Sequence, residues 1–176
     1  MQDKIILGML SLQPMSVYEL KKNMDKSTSM FYNTSIGSIH PACQKLLAAG
    51  LVECEEDIES KRAKKTFSIT PQGRKVYREW LESPLGIGKI KDELLLRLFF
   101  FADSDDKWKE VLQSYLKDVR SMRMELEQQK AAVDRNAIPQ VFQRAAHFQL
   151  ATLDLGCDYY EFLENWLVKF MEQKVP

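Results

Sequence analysis

Cysteine and histidine are scarce in this chain of 176 residues, and that scarcity excludes a good deal. The three cysteines, Cys43, Cys54 and Cys157, have no paired spacing and read as reduced thiols, not as disulfides or zinc ligands. The two histidines, His40 and His147, are far apart and stand in no ligand motif. The sequence has no glycine-rich phosphate loop and no Ser/Cys–His arrangement for nucleophilic attack. Asp105-Asp106 reads as the charge at a helix start. The chain is therefore expected not to be an enzyme and to need no metal or cofactor. No apolar run approaches the roughly 20 residues of a membrane span. The N-terminal apolar run is interrupted and lacks a cleavage pattern. A cytoplasmic protein with no membrane partner is expected.

Net charge is also absent, which argues against a wholly basic nucleic-acid coat. The charges are nevertheless unevenly spread. Residues 1–90 hold 13 Lys+Arg against 10 Asp+Glu, and residues 91–176 hold 12 against 15. That separation suits a binding half and an assembly half.

What is present is helical period. In residues 3–12, Ile5, Met9 and Leu12 keep the spacing of a short amphipathic helix. Gln13-Pro14-Met15 breaks it, and Ser16 is placed to cap the next helix, which buries Val17, Leu20 and Met24. A polar turn leads to Asn33–Leu51. There Thr34 or Ser35 can cap, Ile39, Cys43, Leu46 and Leu47 form an apolar stripe, and Gly50 fits an αL stop. Pro41 removes a backbone bond, which is cheap if the helix starts near Gly37. The exposed face of this helix offers Ser35, Ser38, His40, Gln44 and Lys45, with no carboxylate of its own. Such a face can lie against a polyanion and reach base edges.

After Gly50 the period becomes two. Leu51–Glu55 and Lys64–Thr70 alternate as strands, with Phe67 and Ile69 inward, around a loop rich in Lys61, Arg62, Lys64 and Lys65. A helix-turn-helix followed by such a hairpin makes a winged helix. Thr70 and Pro71 open a further helix carrying Val76, Trp80 and Leu81. The Pro/Gly segment after Ser83 reads as a linker. The expected domains are residues 1–83, a winged helix-turn-helix; 84–90, the linker; and 91–176, a helical domain.

In that second domain Trp108, Leu112, Tyr115, Val119, Met122 and Leu126 recur in steps of four and three, predicting one helix over residues 105–135, about 45 Å long. The last helix, residues 139–173, carries two apolar stripes. One runs through Phe148, Leu155, Tyr159, Phe162 and Trp166, and the other through Leu150, Leu153, Cys157, Tyr160 and Leu163. Three helices offer few partners for both, so a second chain is expected to cover one of them. Gly156, in the middle, invites a close neighbour.

The segments ILGML, SVYELKK, SIGSIHPACQKLLAAGLV and KKTFSITPQGRKVYREWL, with the long helical tail, resemble the PadR-like winged-helix transcriptional regulators. The resemblance spans the chain and is most specific over residues 5–81. It implies a mainly α fold with a two-stranded wing, and a homodimer on an inverted-repeat operator in double-stranded DNA. It also implies repression as the usual outcome, and in some members a response to a small-molecule effector. His40 stands where the family usually has Tyr.

The resulting expectation is a DNA-binding regulator. Ser35, Ser38, His40, Gln44 and Lys45 would face the groove. Tyr32, Lys61, Arg62, Lys64 and Lys65 would hold phosphates. Phe148, Leu155, Tyr159, Phe162, Leu163 and Trp166 would join two chains. Trp80, Phe99, Phe100, Trp108 and Trp166 are candidates for lining an effector pocket. The competing reading is a winged-helix scaffold that binds protein, which would want an acidic or apolar face on the third helix.

Overall fold

The structure is a computed structural model, and it describes residues 1–32, 35–57, 64–88, 92–104 and 107–174. The chain forms two compact units, Met1–Gly88 and Lys89–Pro176. It has the mainly helical class expected, with a winged helix-turn-helix followed by long helices.

The first unit contains α1 (Gln2–Leu12), α2 (Val17–Asp25), α3 (Ile36–Ala48), β1 (Val52–Asp57), β2 (Lys64–Ile69) and α4 (Pro71–Glu82). Ser16 and Glu19 close a capping box at the start of α2. The Ser16 hydroxyl accepts the Glu19 N–H at 3.3 Å, and the Glu19 carboxylate accepts the Ser16 N–H at 2.8 Å. The α1 stripe lies one position away from the expected phase. Ile6, Leu7 and Leu10 are buried, while Leu12 is exposed. Residues 5–12 are apolar on almost every side, so spacing alone leaves the phase open. From α3, Ile39, Cys43 and Leu46 enter the same core, together with Leu20, Met24, Val52 and Phe67.

Helix α3 begins at Ile36, one residue before the expected start. Pro41 is therefore interior and withdraws the N–H that would reach the Gly37 carbonyl.

β1 and β2 pair antiparallel, Val52 opposite Ile69, Cys54 opposite Phe67 and Glu56 opposite Lys65. Met15, which reads in sequence only as a breaker, exchanges two backbone bonds with Phe67 at 3.0 and 2.9 Å and so forms an isolated antiparallel bridge on the edge of β2 away from β1. The hairpin is locked to α4 through Thr70. Its hydroxyl donates to the Gly50 carbonyl at 2.8 Å and accepts the Gly73 N–H at 3.0 Å, and its own N–H reaches the Leu51 carbonyl at 3.1 Å. Gly50 has φ +68°, the left-handed stop that glycine tolerates.

The second unit contains α5 (Glu93–Phe100), α6 (Trp108–Ala131) and α7 (Gln143–Glu172). Asp92 caps α5, accepting the Leu94 N–H at 2.7 Å. At 24 residues α6 is about 36 Å long, shorter than expected. Asp105-Asp106 lies outside the described residues. The core holds Trp108, Leu112, Leu116, Val119, Leu163 and Leu167. Leu116 lies deeper than Tyr115, which is only partly buried.

Helices α6 and α7 run antiparallel, bridged by Arg120–Glu164 (2.7 Å), Arg123–Glu164 (3.3 Å) and Lys130–Asp154 (2.5 Å). Gly156 does meet a close neighbour, but it is a methyl of the chain's own α6. A Cβ there would lie 2.9 Å from Leu126 Cδ1.

Candidate nucleic-acid interface

The candidate site is the outer face of α3 and the ground around its first turn. Ser35 is the N-cap residue, yet its hydroxyl caps no backbone N–H. It donates instead to Ser38 Oγ at 3.2 Å, and Ser38 Oγ donates to the Ser35 carbonyl at 2.8 Å. His40, Gln44 and Lys45 are exposed one turn and two turns further on. Tyr32, just before the helix, is half-buried. Thr34 lies outside the described residues.

Two residues from α1 join this face. Gln2 Nε2 donates to Ser38 Oγ at 3.0 Å. Asp3 Oδ2 sits 3.4 Å from Lys45 Nζ. The face therefore carries a carboxylate after all, because a neighbouring helix contributes it. Nothing local in the sequence signals either contact, since each spans more than 35 residues. Two apolar side chains also stand exposed at the helix entry, Phe31 and Ile36, and the reading of polar groups passed over them.

On the wing, Lys65 is exposed and pairs with Glu56 across the strands at 3.3 Å. Lys64 lies opposite Asp57 in the ladder. Lys61 and Arg62 fall outside the described residues. β1 itself is acidic, with Glu53, Glu55 and Glu56 all exposed, so any positive character of the wing comes from its tip and from β2. Cys43, behind the face, is a core residue. Burial, with Cys54 nearby as a lesser cause, pushes its thiol up to about 11, so it stays neutral.

In the second unit the two stripes of α7 have different fates. Leu163 and Leu167 are buried against α6, with Tyr160 partly so. Phe148, Leu155, Tyr159 and Phe162 are at least half exposed, and Trp166 is 37% exposed. Leu163 thus serves its own chain's core, whereas the other five residues named for assembly face outward.

The aromatic residues named for a pocket fall in both units. Trp80 packs near Tyr77 in the first. In the second, Trp108 and Trp166 both meet Phe170, edge-on at 5.7 Å and stacked at 5.0 Å respectively. Phe99 and Phe100 are exposed and touch each other edge-on at 5.0 Å. Among the described residues no His/Cys/Asp/Glu group could hold a metal, and no helix is long and apolar enough to cross a membrane.

A winged helix-turn-helix with a polar outer face on its third helix, followed by a long antiparallel helical unit, is an architecture able to place one helix in a DNA groove. Comparison with known proteins agrees. Residues 6–79 match the model of the transcriptional regulator PadR-like family. The first unit is thus similar to the transcriptional regulators of that family over most of its length.

Three solved structures share the fold over nearly the whole chain. Bacillus subtilis PadR in complex with operator DNA is 19% identical, with 96% of this chain and 94% of that one covered and a TM-score of 0.84. The same protein in complex with p-coumaric acid gives 19%, 96%, 95% and 0.77. The Vibrio cholerae virulence activator AphA gives 21%, 97%, 96% and 0.77. Comparison with curated proteins finds no match.

Proposed function

We propose that this regulator binds double-stranded DNA sequence-specifically as a homodimer on an inverted-repeat operator, and that it represses transcription. The observation that carries the reading is the face of α3. His40, Gln44 and Lys45 stand exposed along one helix whose opposite side is locked into the core by Ile39, Cys43 and Leu46. A rigidly held helix with donors and acceptors outward is what base readout requires. In this reading Ser35, His40, Gln44 and Lys45 enter the major groove and Ser38 supports the first turn. Tyr32, Lys61, Arg62, Lys64 and Lys65 hold phosphates. That Bacillus subtilis PadR was solved with operator DNA supports the mode of binding.

The homodimer follows from the outward stripe of α7. Phe148, Leu155, Tyr159, Phe162 and Trp166 would leave a long apolar strip in water, and a second copy laid across it gives a self-complementary two-fold contact. A small-molecule effector belongs to the same reading, in line with the PadR complex with p-coumaric acid. Its candidate lining in the second unit is Phe99, Phe100, Trp108 and Trp166. Repression is the outcome expected when the operator overlaps a promoter. AphA, which shares the fold, is called an activator.

A gel shift of the full-length protein on the DNA upstream of its own gene tests the reading. Retention that survives excess random duplex supports it. Equal competition by random duplex would leave only non-specific binding, and no shift at all would favour a protein-binding scaffold.

A further inference from the structure

The hydroxyl of Ser38 has no capacity left for DNA. A serine hydroxyl has one hydrogen to donate and two lone pairs to accept with. Ser38 gives its hydrogen to the Ser35 carbonyl at 2.8 Å. It accepts from Ser35 Oγ at 3.2 Å and from Gln2 Nε2 at 3.0 Å. Because the hydrogen is already committed, the hydroxyl can meet the Gln2 carboxamide only as an acceptor. The nitrogen of Gln2 must therefore face it, and the orientation of that amide is fixed by the network.

Gln2 is left in the opposite condition. One N–H is spent on Ser38, while among the described residues the second N–H and the Oε1 acceptor remain. Anchoring a planar carboxamide through the hydrogen remote from its oxygen leaves an edge with N–H beside C=O. That edge matches the N7 acceptor and N6 donor of adenine in the major groove. It is held against the third residue of α3, and the N-terminal turn of a recognition helix is the part that reaches base edges.

We propose that Gln2, from α1, is a specificity-determining residue that reads an adenine in each half-site, and that Ser38 is its anchor and not itself a reader. This rests on the DNA-binding reading above and adds a residue that lies outside the helix-turn-helix.

The test is selection of binding sites from a pool of randomised duplexes by the full-length protein, its Gln2→Ala variant and its Ser38→Ala variant. Wild type should yield a consensus with an A·T pair whose replacement weakens binding roughly tenfold or more, the range of a bidentate base contact. Gln2→Ala should lose the preference at that pair alone and keep the rest of the consensus and the salt dependence. Ser38→Ala, having lost the anchor, should blur the same pair.

A Gln2→Ala consensus identical to wild type would overturn the proposal. So would a Ser38→Ala loss at a position that Gln2→Ala leaves intact, since Ser38 would then be the reader. An even weakening at every position would reduce Gln2 to a structural support and overturn it too. If the wild-type protein itself returns no consensus, sequence-specific binding fails first, and that outcome is distinct from the others.

Discussion

Asp3 and Lys45 are 42 residues apart in sequence, yet the Asp3 carboxylate lies 3.4 Å from the Lys45 ammonium. A lysine proposed to face the DNA is thus partly neutralised by its own protein. An exposed pair of this kind contributes little to stability, about 0–1 kcal/mol. Its consequence lies in binding, because the DNA has to displace the carboxylate or tolerate it. Asp3→Asn should raise affinity for random duplex by up to about fivefold and steepen the salt dependence by about one unit of slope. Anisotropy titrations across a salt series check this, and unchanged slopes would show that Lys45 is already free to bind.

The wing supplies the second prediction. Lys65 shares its charge with Glu56 at 3.3 Å, and Lys64 lies opposite Asp57. Replacing both lysines with Ala should weaken binding to operator and random duplex alike and flatten the salt dependence by about one to two units of slope. Operator-only loss would mean that the pair reads sequence. Unchanged affinity on both DNAs would remove the wing from the interface.

The core elements were legible because their periods are strong. The Ile39–Cys43–Leu46 stripe, the Ser16 cap and the Thr70-Pro71 helix start each rest on residues within one or two turns of each other. What could not be read was tertiary. The phase of α1 was ambiguous because nearly every residue from Ile5 to Leu12 is apolar. The bridge that Met15 makes to β2, and the contacts of Gln2 and Asp3 on α3, join segments far apart in the chain. The outward stripe of α7 was readable as a stripe. Which of the two would face α6 was not, since both are apolar and either could fill a core.

Gly73 gives a stability prediction with an internal control. A Cβ there would lie 2.0 Å from the Leu51 carbonyl oxygen and 2.9 Å from Ile69 Cγ1, both at the junction of hairpin and α4. Gly73→Ala must push backbone against backbone, and a cost of about 3 kcal/mol is expected. Gly50 has a positive φ but open space around it, so Gly50→Ala should cost only the strain, about 1–2 kcal/mol. Urea unfolding of the two variants decides the order. A milder effect at Gly73 than at Gly50 would mean that the α4 start shifts freely.

Acid should weaken the α6–α7 pair in a defined direction. The hydrogen bond from Arg120, with help from Arg123, holds the Glu164 carboxyl below the usual glutamate range. Lys130 does the same for Asp154. A carboxyl whose folded value is depressed adds stability that is complete above its unfolded value and disappears as pH falls through the folded one. The contribution should therefore persist at neutral pH, begin to fall near the unfolded carboxylate range of about pH 4, and disappear only at lower pH. The gap in melting temperature between wild type and Glu164→Gln should close as pH drops from 7 to 3. A constant gap would show that the bridge is not coupled to folding.

The central claim is that two copies of this chain present two α3 faces to one operator. Light scattering on the protein saturated with a selected duplex measures it most directly. Two 20.5-kDa chains on each duplex are predicted, with the free protein already a dimer at micromolar concentration. A single chain per duplex, with a single-chain mass for the free protein, would contradict both the α7 interface and the two-half-site mode of recognition.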